Sequence, residues 1–190
     1  MIAICHFYVY NVAVDLTEAI IHKIVKEAIR MVKEILLLGN PKLYDRSAPV
    51  LYNELGLVNE IVDDMHDTLM DYRSKHGSGR AIAAPQIGVF KRIIYMHITE
   101  PVVFINPEMD LIGPALFELW DDCLSFPGLF VKVRRYKKSF IRYKDMDWND
   151  YEMELSNDMS ELLQHEFDHL NGILATMKAV DNKSLSMCKT

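Results

Sequence analysis

The sequence has little of what several protein classes require. Three cysteines occur, at positions 5, 123 and 188. So odd and scattered a set argues against a disulfide framework and for a reducing compartment. No apolar run reaches the length of a membrane span, so no membrane partner is expected. Positive charge is the minority sign: 21 Lys and Arg against 27 Asp and Glu leave a net charge of −6. Without a basic stripe interleaved with aromatics, nothing points to nucleic acid as a partner. The apolar opening "MIAICHFYVYNVAV" lacks a basic leading region, an A-x-A cleavage site and the arginines of a mitochondrial presequence. A strand or ordered extension is expected there rather than a targeting segment. No repeat, low-complexity stretch or linker interrupts the chain.

What is present is the composition of one globular domain: 190 residues, half hydrophobic and a quarter charged. Over residues 15–37, Ile20, Ile21, Ile24, Val25, Ala28, Met31 and Val32 recur at helical spacing and predict an amphipathic helix. Leu57, Ile61, Val62, Met65, Leu69 and Met70 predict another over 57–74. A glycine-rich loop, "KHGSGRAIAAPQIG", follows. Runs of β-branched and aromatic residues then predict strands at 92–96, 102–105, 115–120, 130–133, 140–143 and 151–155, with "DMDWND" as a hairpin loop. "SNDMSELLQHEFDHLNG" predicts a last helix, capped by Asp158 with Glu161 three residues on and stopped at Asn171-Gly172. The expected fold class is α+β: antiparallel β-sheets packed around this C-terminal helix, with N-terminal helices. Residues 1–30 would be a helical extension packed on a single domain spanning 31–190.

The chemistry concentrates in "LLQHEFDHLNG". His165 and His169 stand four apart, which puts both imidazoles on one helix face about a turn apart. Two neutral imidazoles at that spacing bind a divalent cation, and Glu166 between them can reach a bound water as proton acceptor. The alternative is a solvated face with two unrelated histidines. Against it, Leu162, Leu163, Phe167 and Leu170 turn the helix toward a core. A catalytic site needs a third protein ligand. Beyond the helix the only acidic residue is Asp181, and no histidine remains. Upstream, Cys123 in "WDDCLSFPG" sits at a polar strand-to-loop transition; the alternative for such a cysteine is a small buried hydrophobe. Asp168 either orients a histidine or is a surface carboxylate.

"QHEFDHLNG" (164–172), "CLSFPG" (123–128) and "GRAIAAPQIG" (79–88), with "MVKEILLLGNPKLYDRSAPV" (31–50), stand in the order and separations of one family. Over about residues 31–185 the chain resembles peptide deformylases. The resemblance implies that Cys123, His165 and His169 hold one divalent metal ion, Fe(II), with Zn(II) or Ni(II) as alternatives. One thiolate with two imidazoles suits Zn(II) or Fe(II). It implies that Glu166 moves a proton between water and leaving amine. Gln86 and the N–H of Leu124 would bind the oxygen of the attacked formyl group. Gly79, Ala81 and Ile82 would let a peptide lie as an added strand, Ile82 walling the pocket for its first side chain. The implied activity is a metallohydrolase releasing formate from N-formylmethionyl peptides, the N-terminal processing of nascent chains in protein biosynthesis. A cytoplasmic monomer or homodimer is expected, organellar in a eukaryote.

The chain departs from the family pattern at three positions. Ala81 stands where the first motif has a second glycine, and Asp121-Asp122 stand where the cysteine motif has Glu-Gly. A methyl at 81 is tolerable if φ is negative there. Asp122 would oppose deprotonation of Cys123 unless Arg134 or Arg135 compensates. Three rivals follow: a related hydrolase of another N-acyl substrate, an H-E-x-x-H metallopeptidase, and a catalytically silent peptide-binding protein.

Overall fold

The computed structural model describes residues 31–187, and from Val32 onward they pack as one compact unit. Helix α1 (Leu55–His76) buries Val58, Ile61, Met65 and Leu69, at the three- and four-residue spacing that lines one helix face. Helix α2 (Asn157–Leu170) is buried along most of its length, including Leu162, Leu163 and Leu170.

Between the helices runs a single antiparallel sheet. Its strands are β1 (Ala81–Ala83), β2 (Ile93–His97), β3 (Pro101–Asp122), β4 (Phe130–Lys144) and β5 (Asp150–Ser156), hydrogen-bonded in that order, with β6 (Leu185–Ser186) also on β4. Alternate residues serve alternate helices. Ile82, Ile93, Tyr95 and Ile105 join the core of α1. Ala81, Ala83, Ile94 and Phe104 join Leu162, Leu163 and Leu170 of α2. The expected α+β class with antiparallel pairing holds. Among the described residues no helix is long and apolar enough to cross a membrane.

Three local expectations are corrected. The runs at 102–105 and 115–120 are one strand, β3, and those at 130–133 and 140–143 are one strand, β4. Proline and glycine in β3 read as breaks, but register shifts between Ile105 and Glu108 and between Ile112 and Leu116 absorb Pro107, Gly113 and Pro114. Next, residues 31–37 are not helical. Their amides are spent on distant acceptors: Lys33 N donates to Thr68 Oγ1 (2.9 Å), Leu36 N to Gln86 O (2.8 Å), and Leu38 N to Ser125 O just beyond (2.7 Å). The rest of that expected helix, residues 15–30, lies outside the described residues, as do Cys5 and Cys188. Finally, Ser156 rather than Asp158 occupies the cap position of α2, with no side-chain capping bond, and Asp158 falls in the first turn. Glu161 is drawn instead to Arg80.

Candidate active site

The end of β3 and the turn after it lie against the buried face of α2. There Cys123 Sγ is 3.2 Å from His169 Nε2, which is 3.2 Å from His165 Nε2. All three donor atoms lie within 4.8 Å of one another, and all three residues are buried. Gln86 comes from a 3-10 turn (Ala84–Ile87) directly after β1. Ala83 N donates to its Oε1 (2.8 Å), which aims Nε2 at Cys123 Sγ (3.4 Å) and Ser125 Oγ (3.2 Å). The fully buried carboxamide therefore has one orientation.

Behind the histidines runs a chain of charges. His165 Nδ1 is 3.0 Å from Asp121 Oδ2, which also accepts from Arg135 Nη2 (2.9 Å). Arg135 Nη1 donates to Asp168 Oδ2, and Lys178 Nζ donates to Asp168 Oδ1 at 2.7 Å. The carboxylate that orients a histidine is thus Asp121, and Asp168 orients the arginine. Neither expected arginine reaches Asp122: Arg135 bridges Asp121 and Asp168, and Arg134 donates to Glu118.

The electrostatics follow from burial and these partners. Burial works against a charged Asp121, but His165 and Arg135 outweigh it and hold its pKa down to about 2. Burial likewise opposes a charged His165, and Asp121 and Cys123 overcome it, holding His165 well above the usual imidazole range. Burial and the neighbouring His165 push His169 well below that range. Burial raises Glu166 to about 7, helped by Asp121 and Glu161. Its Oε2 is buried with no hydrogen-bond partner. Burial and Asp121 raise Glu161 too.

A cavity of about 300 Å³ opens beside this cluster, lined by Gly79, Arg80, Ala81, Asp122, Leu124, Glu161 and Leu162 as well as Cys123, His165 and Glu166. Gly79 has φ +119, and a Cβ there would meet Leu69 Cδ1 at 3.2 Å, so glycine is required. Ala81 lies in extended β1, outside the positive-φ residues, and its methyl carries no backbone strain. Ile82 does not line the cavity. It is fully buried in the core of α1, because alternation along β1 turns it away from α2.

The sequence model of the polypeptide deformylase family matches residues 32–184. The chain belongs to the polypeptide deformylase family. The peptide deformylase of Hahella chejuensis is 35% identical over 145 residues, 74% of this chain and 83% of its own length. The crystal structure of peptide deformylase from Thermotoga maritima matches with a TM-score of 0.72 at 32% identity, covering 79% of this chain and 99% of that one. A class I type b peptide deformylase from Acinetobacter baumannii, crystallised with Met-Ala-Ser bound, matches with a TM-score of 0.72 at 28% identity, again over 79% and 99%. Peptide deformylases are metal-dependent hydrolases that remove formyl groups, and this chain is of that enzyme type.

The deformylase's catalytic metal finds a fitting donor set. One sulfur and two imidazole nitrogens converge, and two Nε2 atoms 3.2 Å apart can share only one proton. Imidazoles ligate in their neutral form, so a cation held by Cys123, His165 and His169 would take the place of that shared proton. Sequence reasoning missed Asp121, Arg80 and Glu161 as site residues. Two signals were available: Asp121 stands only two residues before Cys123, and Glu161 stands four residues before His165 on the same helix face.

Proposed function

We propose that this deformylase acts on N-formylmethionyl peptides, the nascent chains of protein synthesis, with Cys123, His165 and His169 holding one divalent cation. The convergence of those three donors beside Glu166, whose Oε2 is buried without a hydrogen-bond partner, carries the reading. Family resemblance, rather than the donor set, favours Fe(II) over Zn(II) or Ni(II). When bound, the cation supplies Lewis acidity, polarising the formyl carbonyl and acidifying water at neutral pH.

The chain's own residues do the rest. Glu166 takes the proton of the attacking water and delivers it to the leaving amine. Gln86 Nε2 and the Leu124 N–H donate to the formyl oxygen as charge develops on it, in a buried pocket where such bonds count most. β1 is an edge strand, so its free side can receive the substrate backbone. The Acinetobacter relative was crystallised with Met-Ala-Ser bound, the peptide that formyl-Met-Ala-Ser would leave on losing its formyl group. The products are formate and a free amino terminus.

Protein purified without air should carry one metal ion per chain and release formate from formyl-Met-Ala-Ser. Glu166→Gln should keep the ion and lose turnover by roughly a hundredfold to ten-thousandfold, because its amide cannot accept the proton. Normal turnover by that variant would remove Glu166 from the mechanism. Full retention of the ion by Cys123→Ala would remove the third ligand.

A further inference from the structure

The edge strand β1 and the end of β3 both contribute to the wall of the cavity, through Ala81 and Asp122. Side chains alternate along β3. Asp121 turns to α2, where it meets His165. Asp122, the next residue, turns the other way and is exposed. Tyr72 of α1 lies on that side: burial raises its pKa, and the charge of Asp122 adds to the rise. Among the described residues no cation pairs with Asp122. Arg80 goes to Glu161, Arg134 to Glu118, Arg135 to Asp121 and Asp168, and Lys75 of α1 to Asp71. The mouth of the cavity therefore carries one carboxylate that no neighbouring cation offsets.

A peptide added to the edge of β1 has the same alternation. With its formyl group at the Cys123, His165 and His169 cluster, the first side chain goes toward α2, where Leu162 lines the cavity. The second side chain then falls on the opposite face, the face of Asp122, and the third returns to the side of α2. We propose that Asp122 is a specificity-determining residue that favours lysine or arginine as the second residue of the formylated peptide. Opposite charges facing each other across a strand pair attract, and like charges so placed repel. The contact lies in water, so it ranks substrates rather than excluding any. The proposal rests on the deformylase reading above, keeps methionine as the first residue and narrows the substrate class.

The test is formate release by the metal-loaded enzyme, at low salt, from formyl-Met-Lys-Ser, formyl-Met-Ala-Ser and formyl-Met-Glu-Ser. We expect kcat/KM for the lysine peptide to exceed that for the alanine peptide by roughly two- to fivefold, with the glutamate peptide below alanine by a similar factor. Salt at about 1 M, where screening acts within about 3 Å, should draw the three together. Asp122→Asn should level the ranking and Asp122→Lys should reverse it. In the unaltered enzyme, formyl-Met-Ala-Lys should gain less over formyl-Met-Ala-Ser than formyl-Met-Lys-Ser does, because its lysine falls on the other face. Equal gains from lysine at either position would trace the preference to the net charge of −6 and overturn the role of Asp122. A flat or inverted ranking by the unaltered enzyme, or an unchanged ranking in the Asp122 variants, overturns it too. Each of these results leaves the deformylase reading standing. Formate from none of the peptides removes both.

Discussion

At the scale of single residues, the histidine pair is positioned by a buried carboxylate, Asp121, held between His165 and Arg135. Asp121 accepts from His165 Nδ1, which leaves Nε2 facing the Cys123 sulfur and His169. Its pKa of about 2 keeps it a carboxylate at any working pH. Asparagine at 121 would keep the shape and lose the charge that strengthens His165 as a donor. Asp121→Asn should bind metal roughly tenfold to a hundredfold more weakly, the usual consequence of losing such a partner, as read by competition with a chelator. Asp168→Asn should weaken metal binding less, since its contacts are Arg135 and Lys178 rather than a histidine. Equal losses in the two variants would show that the charge ladder acts as a whole rather than through the His165 contact.

At the scale of elements, the end of α2 must be held while its middle carries the histidines. Gly172 closes it with φ +70, and a Cβ there would lie 2.2 Å from Tyr44 O. Tyr44 ends a 3-10 turn (Pro41–Tyr44), close to the point where Ser47 N donates to Leu170 O at 3.0 Å. The helix end and the early segment are thus in backbone contact, and a methyl group has no room between them. Gly172→Ala combines a positive φ with a clash against backbone, together about 2 kcal/mol or more. In a domain of this size that should lower the melting temperature by roughly 5 °C or more. Thermal unfolding checks it; an unchanged midpoint would mean the Tyr44 segment yields without cost. The neighbouring β4 is held to the same helix by Gln164, which accepts from Tyr136 N at 3.1 Å and donates to Tyr136 O at 2.9 Å.

At the scale of the whole molecule, every residue assigned to chemistry lies between Gly79 and His169, and the family match begins at residue 32. The extension at 1–30 should therefore be dispensable for catalysis. A chain beginning at Met31 should bind one metal ion per molecule and keep kcat, even if its melting temperature falls. Metal analysis and formate release on the shortened protein decide this. A folded, shortened protein without metal would assign the extension a part in shaping the site.

What the sequence determined by itself was the local part of the site. His165, Glu166 and His169 were legible because helix geometry converts a spacing of four into a shared face. Gln86 was legible only through its motif, whereas Cys123 was singled out first by its polar strand-to-loop position in "WDDCLSFPG" and then by its motif. Element types followed from periodicity, but periodicity records which positions are apolar and not where a backbone amide finds its acceptor. Residues 31–37 therefore read as helix, although Thr68, Gln86 and Ser125 draw the amides of Lys33, Leu36 and Leu38 into an extended path. The tertiary structure alone decided that Asp121, not Asp168, meets a histidine, because that depends on β3 ending against α2. It also decided that Ile82 faces α1 while Arg80 and Glu161, 81 positions apart, meet in the lining of the cavity beside the cluster. Charges that distant in sequence acquire a common role only when a sheet and a helix pack.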